Sequence, residues 1–457
     1  MGLRDIVLLI AIYGSIPFIL RKPFVGVLVW YWLSLMNPHR ISWTLENQPF
    51  AYVIALTTLI SLLIAKNEKK EIPWTPITIT LALYWAWMLV TTVFALYPQL
   101  AWNQWDKVWK IMLTTFAAML LLNSKERIVA LTAVSALSVG FYGFKGGFFT
   151  LSTGGSNRVW GPPGSFLGGN NEVGLALVMT VPLLFFLRTL SPSKAYRGIL
   201  LAGIILCVFA ILGTQSRGAF LGVAAIGLFL ALKSPRRLQY LLLIALLAPT
   251  AFLFMPDSWH ERMATIETYQ QDGSAMGRLT AWHMAYNSAL ERPFGGGFEM
   301  FKPATYLMYL PEAGGRGTDA HSIYFETLGE HGFIGLGLFL ALGIFAWRTC
   351  SGIIRQTRDL PDMVWMRNLA AMLQVSLVGY AVSGAFLGLS YFDYYYALLA
   401  IIVGLRLILD RHSPQPDAAS VDKPSVALSQ KQLNVGARAR GREQPVAALV
   451  RRWYQSL

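Results

Sequence analysis

The sequence predicts an all-α, polytopic integral membrane protein with about twelve transmembrane helices and a long periplasmic loop containing an amphipathic helix. Three observations predict it. The 457 residues are 55% hydrophobic and only 14% charged, at a mean hydropathy of +0.48, which is more apolar surface than one soluble core can hide. The apolar residues fall in runs, several of them close to the roughly 20 residues that a bilayer core requires. The net charge of +14 sits mostly in short connections between those runs, which is the positive-inside pattern of membrane proteins and argues against a nucleic-acid partner.

The first runs extend from Ile6 to Met36 and are interrupted only by Arg21, Lys22 and Pro23, as a tight helical hairpin or one broken pass would be. They lack a small-residue cleavage site, so the first helices are expected to be retained. Further runs follow at Phe50 to Ala65, Pro76 to Ala95, Val108 to Leu122, Ile128 to Phe149, Glu172 to Leu187, Gly198 to Leu212, Ala219 to Leu232 and Leu238 to Met255. The last three are Phe333 to Trp347, Met366 to Leu387 and Tyr394 to Leu409. Cys207 and Cys350 lie in or beside different runs, so neither a disulfide framework nor a CxxC metal site is available.

The basic connections at Lys66 to Lys70, Ser124 to Arg127, Lys194 with Arg197, Lys233 to Arg237 and Arg348 to Arg358 are expected to be cytoplasmic. The alternate connections then face the periplasm. These are the Gly-rich loop from Ser152 to Asn170, the turn holding Ser216 and Arg217, and the segment from Pro256 to Ala320. Within that segment Leu279, Trp282, Ala285, Ala289 and Leu290 recur near a helical period, which predicts an amphipathic helix between Ala275 and Glu291, ended by Pro293 and the glycines 295–297. The chain thus divides into N-terminal transmembrane helices (1–255), a periplasmic loop (256–320), C-terminal transmembrane helices (321–409) and a basic cytoplasmic tail (410–457). Much of Ser413 to Gly441 has the composition of a disordered segment.

Ionisable groups at membrane depth are costly and usually present for function. This directs attention to Asp319–Leu336, DAHSIYFETLGEHGFIGL, where titratable side chains precede a hydrophobic run. His321 and Ser322 are followed by nine residues and then by Gly332 and Gly335. The pattern resembles the H-S/N-x9-G-x-x-G signature of bacterial O-antigen ligases and their polymerase relatives, with Leu328, Glu330 and Ile334 in agreement. S-R-G at Arg217 and R-L-x-x-W from Arg278 to Trp282 resemble patterns of the same family, in which the matching arginines are implicated in diphosphate binding.

The resemblance implies transfer of a glycan from undecaprenyl diphosphate to a lipid A-core sugar hydroxyl at the inner membrane, without a cofactor. A polysaccharide polymerase or a protein O-oligosaccharyltransferase would use the same donor and site. A transporter or flippase of lipid-linked sugars is the reading from a different class, and would more comfortably line the bilayer midplane with its polar residues.

The residue types suit that chemistry. Guanidinium meets phosphate oxygens bidentately and does not deprotonate, so Arg217 and Arg278 are the expected diphosphate-binding residues, against the plainer reading of arginines snorkelling to the interface. His321 is the expected general base, since nearby arginines would keep the imidazole neutral. Glu330 has three open roles: orienting the acceptor, satisfying an arginine, or a structural salt bridge. Arg158, Asn170 and Asn171 flank a Gly-Pro-Gly loop and are placed to contact sugar or phosphate, although those residues equally describe a turn. His283 and His331 are possible neighbours of the site, whereas His39 and His260 have no supporting motif. The acids Asp257, Glu261, Asp272, Glu312 and Asp319 form no DxD-like cluster, so no metal is expected.

Overall fold

The computed structural model describes residues 2–412 apart from 43, 47, 67, 234–236, 258 and 261–272. The expected disorder between Ser413 and Gly441 lies outside the described residues. The N-terminal part holds α1 (Leu3–Arg21), α2 (Pro23–Met36), α3 (Phe50–Ile64), α4 (Pro76–Val93), α5 (Pro98–Leu121) and α6 (Lys125–Ser152). It continues through α7 (Asn170–Leu190), α8 (Lys194–Gly213), α9 (Arg217–Lys233) and α10 (Arg237–Phe254). Then come α11 (Gly273–Glu291), α12 (Pro303–Tyr309), α13 (Ile323–Gln356), α14 (Val364–Gly384) and α15 (Asp393–His412), with no strand among the described residues.

The helix ends follow local chemistry. Proline opens α2, α4 and α5, where its missing N–H would have had no intrahelical partner. Thr75 and Ser124 cap α4 and α6 by accepting the N–H groups of Thr78 at 3.2 Å and Arg127 at 3.4 Å. Lys22 leaves helical geometry, at φ −140° and ψ 96°, so the first runs form two helices that pack on each other and on α3. Two helices start well before their apolar runs: α5 at Pro98 rather than Val108, and α13 at Ile323 rather than Phe333.

Among the described residues six helices, α1, α4, α6, α7, α8 and α13, are long and apolar enough to cross a membrane. The apolar helices α2 and α3 are shorter than that. The centre of the bundle is α7, packed against α6, α8, α9 and α14, with α15 buried along almost its whole length. Glycines let α6 and α8 meet closely: a methyl group on Gly143 would lie 2.2 Å from Cys207 Sγ, and one on Gly147 2.1 Å from the Leu206 carbonyl. Arg127 pairs with Glu68 at 2.5 Å, and Arg411 with Glu71. Two of the basic connections and the C-terminal end of α15 therefore gather at one end of the bundle.

Candidate active site

His321 occupies the turn immediately before α13, where Ser322 is the N-cap residue. Its backbone is left-handed, at φ 43°, a conformation uncommon for residues other than glycine and held only when neighbours determine it. Trp282 of α11 donates its indole N–H to the carbonyl of Ala320 at 2.8 Å, and its ring stacks on Phe325 at 4.8 Å and 6°. Tyr306 donates to the carbonyl of Thr318 at 2.5 Å, and the strip 317–320 lies so close to that ring that a methyl group on Gly317 would be 1.9 Å from it. The His321 ring is half-buried. Burial, and then the positive charge of Arg278, hold its pKa below the ordinary histidine value, with Asp319 opposing. Next to it the Ser322 hydroxyl is buried without a hydrogen-bond partner among the described residues.

Arg278 reaches this place through α11. A methyl group on Gly277 would be 3.2 Å from the Thr318 hydroxyl, so the first turns of α11 run alongside the strip that leads to His321. The buried face of α11 carries Ala281, Met284, Ala285, Ser288 and Ala289. Leu279 and Leu290, which the periodicity assigned to the apolar face, are instead 42% and 59% exposed.

Arg217 opens α9 after a tightly tied turn. Ser216 accepts the Ala219 N–H at 3.3 Å, and Gln215 stands at φ 52°. Gln215 accepts from Arg158 Nε at 3.1 Å and donates to the Gly155 carbonyl at 3.1 Å. Asn170 is buried and donates its amide to the Thr214 carbonyl at 2.8 Å. Both residues thus face the turn that presents Arg217. Beyond it, Gly218 touches the Ser383 carbonyl and Phe386, each 3.3 Å from the place of a Cβ, while Gly384 sits against Ile323. Arg217 and His321 consequently border the same C-terminal end of α14.

Glu330 is turned into the protein and makes no salt bridge among the described residues. Its carboxylate accepts the Glu299 N–H at 2.8 Å and the Tyr391 hydroxyl at 2.5 Å. Tyr391 also meets His331 Nε2 at 2.8 Å, and His331 Nδ1 meets the Thr91 hydroxyl at 2.6 Å. This buried chain crosses a break in α13 at Gly332, where φ is 66° and ψ −171°. The loop 295–297 fills the break, with Gly296 and Gly297 donating to the carbonyls of Gly329 at 2.8 Å and Glu330 at 2.9 Å. A methyl group on Gly332 would fall 2.2 Å from the Pro293 carbonyl, and one on Gly335 2.2 Å from His331 Cβ. The two motif glycines therefore build the break. Nothing in the sequence pointed to Tyr391 or Thr91, which lie in apolar and aromatic runs far from His331 along the chain.

His283 is exposed on α11, and His39 and His260 are half-buried away from this cluster. Among the described residues no three or more His, Cys, Asp or Glu side chains converge as metal ligands would.

Residues 202–340 match the family model described as O-antigen ligase. The chain carries an O-antigen ligase domain. The matched stretch contains Arg217, Arg278, His321, Glu330 and both motif glycines, and it supports the O-antigen ligase and polymerase superfamily. Residues 3–191, with Arg158 and Asn170, match a family of unknown function, DUF5935. No curated protein matches the chain. Together with six helices among the described residues long and apolar enough to cross a membrane, the match supports a multi-pass membrane protein, and the family it names implies lipid-linked polysaccharide substrates.

Proposed function

We propose that this protein is an O-antigen ligase of lipopolysaccharide biosynthesis, transferring a glycan from undecaprenyl diphosphate to a lipid A-core sugar hydroxyl at the periplasmic face of the inner membrane. The observation that carries this reading is His321, a half-buried imidazole kept neutral beside Arg278 in a turn that borders the same end of α14 as Arg217. In the proposed step the acceptor oxygen bonds to the anomeric carbon and its proton passes to His321. The bond from that carbon to the diphosphate oxygen breaks, and the diphosphate leaves with the electron pair. Arg217 and Arg278 stabilise the charge that develops on it, which positioned guanidinium donors do well in a site shielded from water. The buried Ser322 hydroxyl has a bond left to give to substrate. No metal takes part in this scheme.

Arg158 and Asn170 act in this reading as positioning residues, holding the turn before Arg217 rather than touching sugar. Glu330 holds the break in α13 and so the register of His321. The test is reconstitution of the purified chain in bilayers with lipid-linked glycan and three acceptors: lipid A-core, a free glycan chain and an acceptor protein. New covalent product on lipid A-core supports the ligase. Product only on glycan or protein would make it a polymerase or a protein O-oligosaccharyltransferase, and glycan crossing the bilayer without any product would point to a flippase.

A further inference from the structure

A second cationic groove lies at the end of the bundle that holds Arg217 and adjoins the turn before it through Arg158. Its centre is Lys145, about two turns before the end of α6 and flanked by Phe144 and Phe148, which are 58% and 65% exposed. A lysine inside a helix apolar enough to span a membrane needs an anion or a path to the headgroups. Lys145 borders a cavity of about 610 Å³, which Arg4 of α1 also lines. It borders as well an abutting cavity of about 320 Å³ lined by Arg40 and Arg158. Among the described residues no acidic side chain lines either cavity.

Two acids are bonded to residues that line the cavities. Asp5 accepts from the hydroxyls of Ser42 at 2.5 Å and Thr44 at 2.7 Å, and Glu46 pairs with Arg40 at 3.2 Å. Among the described residues Arg4 and Lys145 have no ion-pair partner. The groove also has apolar walls, with Leu3, Val7, Trp32 and Phe141 in the larger cavity and Trp160 in the smaller. Leu3 and Val7 are 79% and 59% exposed, so the cavity opens toward the surface that lipid would cover. Arg4, Arg40, Lys145 and Arg158 outnumber the two nearby carboxylates of Asp5 and Glu46, and a net positive groove favours charge-assisted bonds to phosphate oxygens. Apolar walls beside them suit acyl chains.

We propose that this groove is a binding site for a phosphate-bearing lipid headgroup, held by Arg4 and Lys145 with Arg40 and Arg158 at its inner side. The groove adjoins the turn before Arg217 through Arg158, but Arg4 and Lys145 take no part in the proposed transfer, and the inference does not rest on that reaction, because binding is read without turnover.

The full chain, delipidated in a neutral detergent, would be titrated with phosphatidylglycerol, lipid A, diacylglycerol and inorganic phosphate, with bound lipid counted by native mass spectrometry. Wild-type protein should retain phosphatidylglycerol or lipid A and not diacylglycerol. The double variant Arg4→Gln/Lys145→Gln should bind about tenfold or more weakly, as loss of two charge-assisted contacts requires, while Lys107→Gln should bind as wild type. Tenfold preference for lipid A would identify a phosphorylated glycolipid as the occupant, and equal binding a bilayer phospholipid; either supports the site. Unchanged binding by the double variant, or equal competition by inorganic phosphate, would overturn it. Acetylation of wild-type Lys145 supplies a readout that needs no variant: added lipid should protect it and leave Lys107 reactive, and equal reactivity with and without lipid counts against the site.

Discussion

The indole nitrogen of Trp282 lies 2.8 Å from the carbonyl oxygen of Ala320, and this one bond ties the arginine-bearing helix α11 to the turn that carries His321. Together with the Trp282–Phe325 stack it fixes how Arg278 approaches the imidazole. Trp282→Phe keeps an aromatic ring for the stack but loses the N–H donor. It should cost about 0.5–1.5 kcal/mol in stability and lower the transfer rate by more than its effect on donor binding. Melting temperature and single-turnover transfer, measured on the same preparation, check both parts. A variant with normal turnover would show that the Trp282–Ala320 bond has no part in placing the base.

His321→Ala should slow the chemical step by about a hundredfold to ten-thousandfold, the usual cost of losing a general base, and leave the lipid donor bound. Because residue 321 has φ 43°, alanine also meets backbone strain there, so His321→Asn, which tolerates the left-handed region, is the better-folded companion. Donor binding beside single-turnover transfer decides the matter. Abolished binding with normal transfer at saturating donor would make His321 a binding residue.

The resemblance to O-antigen ligases was legible in His321, Ser322, Gly332, Gly335 and the two arginine patterns because these are local in sequence. So was the helix around Arg278, but not its buried face, since Leu279 and Leu290 are exposed and the face is made of small residues and Met284. The starts of α5 and α13 were not, because their first turns are polar and pack through tertiary contacts rather than by hydropathy. Nor was the role of Glu330: its partners are a backbone N–H at Glu299 and the hydroxyl of Tyr391, 31 and 61 residues away, and no local pattern encodes such a pairing. The same holds for Asn170, whose amide meets a carbonyl 44 residues on.

Tyr391→Phe removes the hydroxyl shared by Glu330 and His331 and leaves both short of a buried partner. It should destabilise the protein by about 1–3 kcal/mol. Gly332→Ala should do worse, since the position combines φ 66° with a contact of 2.2 Å to the Pro293 carbonyl. Thermal unfolding in detergent ranks the two, and a Gly332→Ala protein that melts like wild type would contradict the break as described.

Transfer should survive EDTA, since the proposed scheme draws its electrophilic assistance from arginine rather than a metal. Activity lost on chelation and restored by Mg2+ or Mn2+ would overturn that part of the mechanism.

The pH dependence of transfer follows from the depressed pKa of His321. A base is active when deprotonated, and burial together with the Arg278 charge disfavours the protonated form. Activity should therefore persist as pH falls through the ordinary histidine value of about 6.5 and be lost only at lower pH, where the folded protein takes up the proton. Arg278→Lys retains the charge and should keep the acidic limb where it is, while weakening donor binding through loss of the bidentate fork. Arg278→Gln removes the charge, and the limb should move up toward 6.5, although not the whole way, because burial is the larger cause and remains. Single-turnover rates at saturating donor, measured from acid to neutral pH for wild type and both variants, separate the two effects. An acidic limb that stays fixed in Arg278→Gln would mean that the arginine does not act on the group that titrates, and His321 would lose its claim to be the base that Arg278 keeps neutral.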